Sequence, residues 1–322
     1  MRVLFITGNN EIWKEKKRII KEKYPLISFY DVYTDDRKRS VEIADVIIGM
    51  PTEQELDYAD NLKLIIVPWT GINRLPVEKL TKRNILVMNN HANAKIVAER
   101  ALALCLTLMG KIIFLHDKLK LGIWGGRTKY KPVDRRWTTL YNKKVSIIGF
   151  GNIGRELVKL LKPFNCKILG FKREETNNEE IKITYNLNEA LDFGEILFFF
   201  LPLTEETVDL INDNNKLYLR NKFIVNIGRG EVINEETLYK LLESGLLRGA
   251  ALDTWYNYPK NGSVTLPSIY PIHTFDNVVL SPHCASGTYE AQESMAQETI
   301  NNLIDYIEKR PLRNLVDLNR KY

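Results

Sequence analysis

Short apolar runs alternate with polar, helically spaced segments along the whole chain. The runs "RVLFIT" (2–7), "ISFY" (27–30), "DVIIGM" (45–50), "KLIIVP" (63–68) and "ILVMNN" (85–90) are too short for helices and rich in branched residues, so they predict strands. Between them lie segments such as "EIWKEKKRIIKEKYP" (11–25), where Ile12, Ile19 and Ile20 are expected to form the apolar face and Lys and Glu the wet one. Strand–helix–strand alternation predicts a parallel sheet covered on both faces. A long apolar run, 93–119, follows and is expected to be one helix, long enough to link two domains. Residues 120–144, rich in Gly, basic and aromatic residues, read as loop. A second series then runs through "KVSIIGFGNIG" (144–154), "KILGF" (167–171), "EILFFFLP" (195–202), "KFIVNIG" (222–228), "GAALDT" (249–254) and "NVVLSP" (277–282), and 290–309 is a final helix. The pattern predicts α/β architecture with two doubly wound parallel sheets.

Length and composition narrow this. A chain of 322 residues suits two domains. With 44% hydrophobic and 27% charged residues it belongs with folded rather than disordered proteins. The most apolar run, "ILFFFL" (196–201), is far short of the roughly 20 residues that span a bilayer and reads as a buried strand. The N-terminus opens directly into a strand without signal-peptide features, so a cytoplasmic location is expected. Cys105, Cys166 and Cys284 match no zinc or disulfide spacing, so no metal is expected. Cys105 and Cys166 read as core residues, and nothing adjacent to Cys284 marks it as an activated thiol. The net charge of +6 is spread over solvated helix faces rather than gathered into a nucleic-acid surface, but it favours anionic substrates and phosphorylated cofactors.

The strongest chemical motif is "GFGNIG" (149–154), which leaves an apolar strand and opens a helix. In that context Gly149 permits the turn, Gly151 lets the backbone approach a pyrophosphate, and Gly154 lets helix and strand pack closely. The helix start, at Asn152 and Ile153, offers N–H groups to phosphate. An NAD site places an acid at the end of the next strand, about 20 residues on. Lys172 and Arg173 stand there instead, with Glu174 and Glu175 behind them. Two cations suit a 2′-phosphate, so NADP(H) is expected over NAD(H), with NAD possible.

At this point the chain resembles the D-isomer-specific 2-hydroxyacid dehydrogenase family, over nearly its whole length. The resemblance rests on "GFGNIG", "LPLTEETVDLIN" (201–212), "VNIGRGEVINEETLYKLLESGLLRGAALDTW" (225–255) and "SPHCASGT" (281–288), with "WTGINRLP" (69–76) and "NAKIVAE" (93–99) in support. It implies a Rossmann cofactor domain, 93–285, inserted into a flavodoxin-like substrate domain, 1–92 plus 286–322. It implies closure of a cleft between them about hinges near 91–93 and 284–288, and a homodimer paired through the cofactor domain. Arg229 is then the residue that holds the substrate carboxylate and polarises its carbonyl, and His283 the general acid/base. An arginine past a parallel strand suits the first role, and a side chain that titrates near neutrality suits the second. Thr70 and Gly71 are implied on the substrate, as is Asn93, whose position at the start of the long helix equally suits a simple cap. Leu201, Pro202, Thr204, Ile227, Gly228 and Ser286 are implied along the cofactor, and Asp253 at the nicotinamide carboxamide. His91, His116 and His273 lack such context.

The chain departs from the family at one place. Similar sequences carry a glutamate five residues after the aspartate of the "GAALDT" strand, before a proline. Here that position is Tyr258, before Pro259. A carboxylate would stabilise imidazolium, whereas a phenol stays neutral to about pH 10. Tyr258 is thus expected to orient His283 without charging it. His283 should have a lower pKa than a Glu-paired histidine, and reduction should lose rate at a lower pH; Glu231 is the alternative acid. The leading reading is an NADP-preferring reductase of small 2-oxo acids such as glyoxylate or hydroxypyruvate. A nucleotide-binding sensor or corepressor-like protein without turnover is the alternative from another class. Formate-type oxidation, which moves no proton, is a lesser one.

Overall fold

The computed structural model describes residues 1–124, 133–173, 180–260 and 262–320. The chain divides into two compact units, Met1–Asn93 with Ser286–Tyr322, and Ala94–Ala285. Asn93 thus groups with the first unit rather than the second.

In chain order the first unit contributes β1 (Arg2–Phe5), α1 (Glu11–Lys23), β2 (Ser28–Asp31), α2 (Arg37–Ile43), β3 (Val46–Ile48), α3 (Glu53–Tyr58), β4 (Leu64–Ile66), α4 (Val77–Lys82) and β5 (Leu86–Met88). The second runs α5 (Ala94–Met109), α6 (Ile112–Lys120), β6 (Lys144–Ile148), α7 (Asn152–Leu161), β7 (Lys167–Phe171), β8 (Lys182–Thr184), α8 (Leu187–Phe193), β9 (Ile196–Phe199), β10 (Phe223–Asn226), α9 (Glu235–Glu243), β11 (Gly249–Leu252) and β12 (Val278–Leu280). The chain then returns to the first unit through α10 (Tyr289–Ile307).

The first sheet is parallel, in the order β2-β1-β3-β4-β5. This is the flavodoxin-like order. Strand alternation divides its core in two. Leu4, Ile47, Ile65 and Val87 face α2, α3 and α4 through Val41, Leu56 and Leu80. Val3, Phe5, Val46, Ile48, Leu64 and Ile66 face α1 and α10 through Trp13, Ile20, Ile300 and Leu303. The buried side of α1 is Ile12, Trp13, Lys17 and Ile20, while Ile19 is 42% exposed. This corrects the expected face. Ile19 lies about 100° round the helix from Ile20, and Lys17 is buried because its ammonium pairs with Asp31 at 2.7 Å and donates to Gly8 O at 2.6 Å.

The second sheet is also parallel, in the order β12-β11-β10-β9-β6-β7-β8. Numbered from β6, it is the doubly wound order 3-2-1-4-5-6 with one strand added, and the order reverses between β6 and β9. Val145, Ile147, Phe198, Val225 and Ala251 pack on α5 and α7. Ile148, Leu197, Phe199, Ile224 and Leu252 pack on α8 and α9. The strands "ILFF" and "FIVN" are buried throughout, as an apolar run without alternation requires.

The run 93–119 is two helices. The first ends at Met109, and Lys111 takes a left-handed conformation, φ 51°, before the second begins. Gly110 permits the break and closes the first helix by donating to Leu106 O at 2.8 Å. α5 buries eight residues and α6 none. The edge strand β8 has no counterpart in the sequence reading; at three residues, "KIT", it lacks a periodic signal. Residues 125–132 of the basic, aromatic loop, and Glu174 and Glu175, lie outside the described residues.

Candidate active site

In a parallel sheet all strands end on one edge, so the loops after β6, β9, β10, β11 and β12 gather there. Gly149, at φ 93°, turns the chain out of β6, and a Cβ on it would lie 2.9 Å from the Leu201 side chain and 3.0 Å from Leu201 N. A Cβ on Gly228, after β10, would lie 2.6 Å from Leu201 O. Leu201 is thus held between the two turns. Beyond it Thr207 orders the loop, accepting from Thr204 N at 2.8 Å and donating to Pro202 O at 2.7 Å.

The place for a dinucleotide on this edge is Gly151, the N-cap of α7. A Cβ there would meet nothing within 4 Å. A side chain would project into open space, over N–H groups of Asn152 and Ile153 that no cap side chain takes up. The turn fits a pyrophosphate. At the end of β7, Lys172 lies over the Phe150 ring at 5.9 Å, and Arg173 forms an ion pair with Glu206. Ile227 and Gly228 are buried beside the same edge.

Arg229 leaves β10 in extended conformation and is half-buried, its Nη1 donating to Gly228 O at 2.7 Å. Asn226 frames the turn, accepting from Gly228 N at 3.1 Å and donating to Arg229 O at 2.9 Å. The next residue must be glycine, because a Cβ on Gly230 would stand 2.5 Å from Trp255 O, which is backbone and cannot swing away. The arginine loop is therefore pressed against the loop after β11.

That loop carries the acid and the phenol. Asp253 is fully buried. Its Oδ1 accepts from Ser281 Oγ and from Cys284 N at 3.0 Å, and its Oδ2 accepts from Ala285 N at 3.0 Å. Asp253 therefore braces the turn that carries His283, a use its position at a strand end did not reveal. Arg100, on α5, donates from Nη2 to Ser281 Oγ at 3.1 Å and reaches Cys284 Sγ at 3.6 Å. His283 itself is left-handed, φ 53°, uncommon for a residue with a side chain.

Tyr258 Oη lies 2.9 Å from His283 Nδ1 and 3.1 Å from Trp255 N. The expected phenol does bond the histidine, and Glu231 does not take that place. Trp255 serves both partners, since its indole Nε1 donates to Ser281 O at 2.8 Å. The His283 pKa lies below its ordinary value, first because of desolvation, then because of the Arg229 charge, with Asp253 opposing. The Tyr258 pKa is raised, mainly by desolvation. Asn226, Trp255, Ser281 and Arg100 were missed in the sequence because each acts through backbone or through another side chain.

Thr70, Gly71, Asn93 and Ser286 belong to the first unit. There Thr70 Oγ1 donates to Asn90 O at 2.8 Å, and Asn89 Nδ2 donates to Thr70 O at 3.1 Å. Asn90 is in turn fixed to α10, donating to Met295 O at 2.7 Å and Thr299 Oγ1 at 3.0 Å. Sequence reading overlooked this buried asparagine pair.

The doubly wound order and the open glycine turn at its reversal point define a class, the dinucleotide-binding α/β proteins. Residues 79–285 match the D-isomer specific 2-hydroxyacid dehydrogenase NAD binding domain. The chain is 31% identical over 277 residues to a glyoxylate reductase of Thermofilum pendens, covering 83% of this chain and 79% of that one. It is 29% identical over 305 residues to a glyoxylate reductase of Pyrococcus furiosus, covering 92% and 85%. The crystal structure of the PH0520 protein from Pyrococcus horikoshii OT3 superposes with a TM-score of 0.81 at 28% identity, over 98% of this chain and 95% of that one. The chain belongs to the D-isomer-specific 2-hydroxyacid dehydrogenase family and carries its NAD(P)-binding domain.

Proposed function

We propose that the protein reduces a small 2-oxo acid of the glyoxylate or hydroxypyruvate kind, with NADP(H) preferred. The observation that carries the reading is the bonded Tyr258–His283 pair on the same sheet edge as Arg229, whose charge reaches His283. The glyoxylate reductase names of the relatives support the substrate class. The cations Lys172 and Arg173 at the end of β7 support the cofactor preference.

In this reading Gly149, Gly151, Asn152, Ile153 and Gly154 hold the pyrophosphate, Lys172 and Arg173 the 2′-phosphate, and Leu201, Pro202, Thr204, Ile227, Gly228 and Ser286 the rest of the cofactor. When bound, the reduced nicotinamide supplies hydride. Arg229 holds the substrate carboxylate by two parallel N–H bonds and draws electron density from the carbonyl. His283 Nε2 delivers the proton to the developing alkoxide. Asp253 keeps the histidine turn in place, and Thr70, Gly71 and Asn93 complete the substrate's binding. Homodimer formation belongs to the same reading, supported by α6, which buries nothing and exposes Ile112, Ile113 and Leu119. The test is steady-state kinetics with a panel of 2-oxo acids, using wild type and Arg229→Gln. Loss of about 3 kcal/mol or more of transition-state stabilisation in the variant is expected, and an unchanged kcat/KM contradicts the assignment.

A further inference from the structure

The neighbours of Tyr258 Oη leave its single hydroxyl proton free to point at His283. The Trp255 backbone N–H, 3.1 Å from Oη, can only donate, so it occupies a lone pair of the phenol. The other partner is His283 Nδ1 at 2.9 Å. With one side of Oη taken by a donor, the phenolic proton is free to point at Nδ1, which then accepts. An imidazole that accepts at Nδ1 carries its proton at Nε2 when neutral. A carboxylate partner does the reverse. It can only accept, so it fixes Nδ1–H and leaves a neutral histidine bare at Nε2, unable to donate. The exchange of Glu for Tyr thus reverses the hydrogen bond.

We propose that Tyr258 and His283 form a two-residue proton relay, in which the phenol rather than an imidazolium is the ultimate acid for reduction. The inference rests on the reading of His283 as the group facing the carbonyl. As hydride from the reduced nicotinamide cofactor reaches the carbonyl carbon, Nε2–H breaks and an O–H bond forms on the substrate oxygen. Nδ1 takes the phenolic proton, so Nδ1–H forms and Oη–H breaks. The carbonyl gains two electrons from the hydride and one proton from the relay, and the imidazole is neutral before and after. The phenolate keeps its bond from Trp255 N–H, and the relay resets when Nε2 takes a proton from water and Nδ1 returns its proton to the phenolate oxygen.

The charged surroundings make such a route useful. Arg229 and desolvation both disfavour imidazolium, and Asp253 opposes them. Around Tyr258, desolvation, Glu231 and Asp253 hold the proton on the phenol, while Arg229 and the Trp255 N–H favour its release. Even with its pKa raised by desolvation, the phenol is a stronger acid than the alcohol formed. It stays protonated over a wide range in which imidazolium is scarce.

Two readouts test the relay. In the full chain labelled with 15N-histidine, the His283 signals are identified by their loss in His283→Gln. Above the imidazole titration, wild type is expected to show the Nε2–H tautomer, Tyr258→Glu the Nδ1–H tautomer, and Tyr258→Phe a mixture of both. In the pH profile of 2-oxo acid reduction, wild type should fall from its acid plateau to a second plateau that persists towards pH 10. Tyr258→Phe should lack that second plateau and drop about tenfold per pH unit, following imidazolium alone. A wild-type Nδ1–H tautomer in an active enzyme, or a plateau retained in Tyr258→Phe, overturns the relay and leaves the general function standing. An Nε2–H tautomer without turnover of any 2-oxo acid overturns the function and the relay step together.

Discussion

Asp253 accepts the backbone N–H of Cys284 at 3.0 Å, which fixes the residue directly after His283. With Ala285 N and Ser281 Oγ on the same carboxylate, the left-handed turn at His283 is held from beneath. Asp253→Asn puts an amide N–H against a backbone donor. It is expected to cost about 1–3 kcal/mol of stability through an unsatisfied buried group, and to lower kcat on the order of 10²-fold through misplacement of the imidazole. Thermal unfolding and steady-state kinetics check the two effects. Full activity in a destabilised variant would show that the turn does not depend on this acid.

Gly230 and Gly151 are expected to fail in different ways when made alanine. A Cβ on Gly230 meets the Trp255 carbonyl at 2.5 Å, so Gly230→Ala should lose about 1–3 kcal/mol of stability by overpacking. A Cβ on Gly151 meets nothing within 4 Å, so Gly151→Ala should melt like wild type but raise the KM for cofactor. Melting curves beside cofactor titrations separate the cases.

Lys172 and Arg173 should govern cofactor choice. Replacing both by Ala is expected to lower kcat/KM with NADPH at least about tenfold, a loss of some 1.4 kcal/mol, and to affect NADH less. The Arg173–Glu206 ion pair adds a second check, since Glu206→Gln removes a carboxylate that would repel a 2′-phosphate and should improve NADPH use. Equal losses with both cofactors would contradict the assignment.

His91 gives a stability signature. Burial holds its pKa below the usual histidine value, against a weaker pull from Glu298. Below about pH 6.5 the unfolded chain then binds more protons than the folded one, so His91 contributes stability above that pH and loses it as pH falls through the folded pKa. The stability difference between wild type and His91→Gln is expected to shift against wild type between pH 7.5 and 5.5, as read by urea unfolding. A constant difference would contradict it.

Much of the fold was legible because buried parallel strands leave apolar runs. "ILFFFL" and "KFIVNIG" could be little else, and "GFGNIG" marked the start of the doubly wound sheet. Two features were misread because one local cue was ambiguous. The run 93–119 is apolar on both sides of Gly110, so periodicity did not show the break. Lys17 looked solvated because its partner Asp31 is remote in sequence. At the candidate site, Arg229, His283 and Tyr258 were visible through motif and resemblance. Trp255, Asn226, Ser281 and Arg100 were not, since they act through backbone groups and other side chains that come together only when α5, β10, β11 and β12 lie side by side.

The most direct test of the account is a panel of small 2-oxo acids assayed with NADPH and NADH in parallel. Reduction of glyoxylate or hydroxypyruvate, with NADPH favoured in kcat/KM, is the expected result. Tight cofactor binding without turnover of any 2-oxo acid would contradict the account and point to a nucleotide-binding sensor.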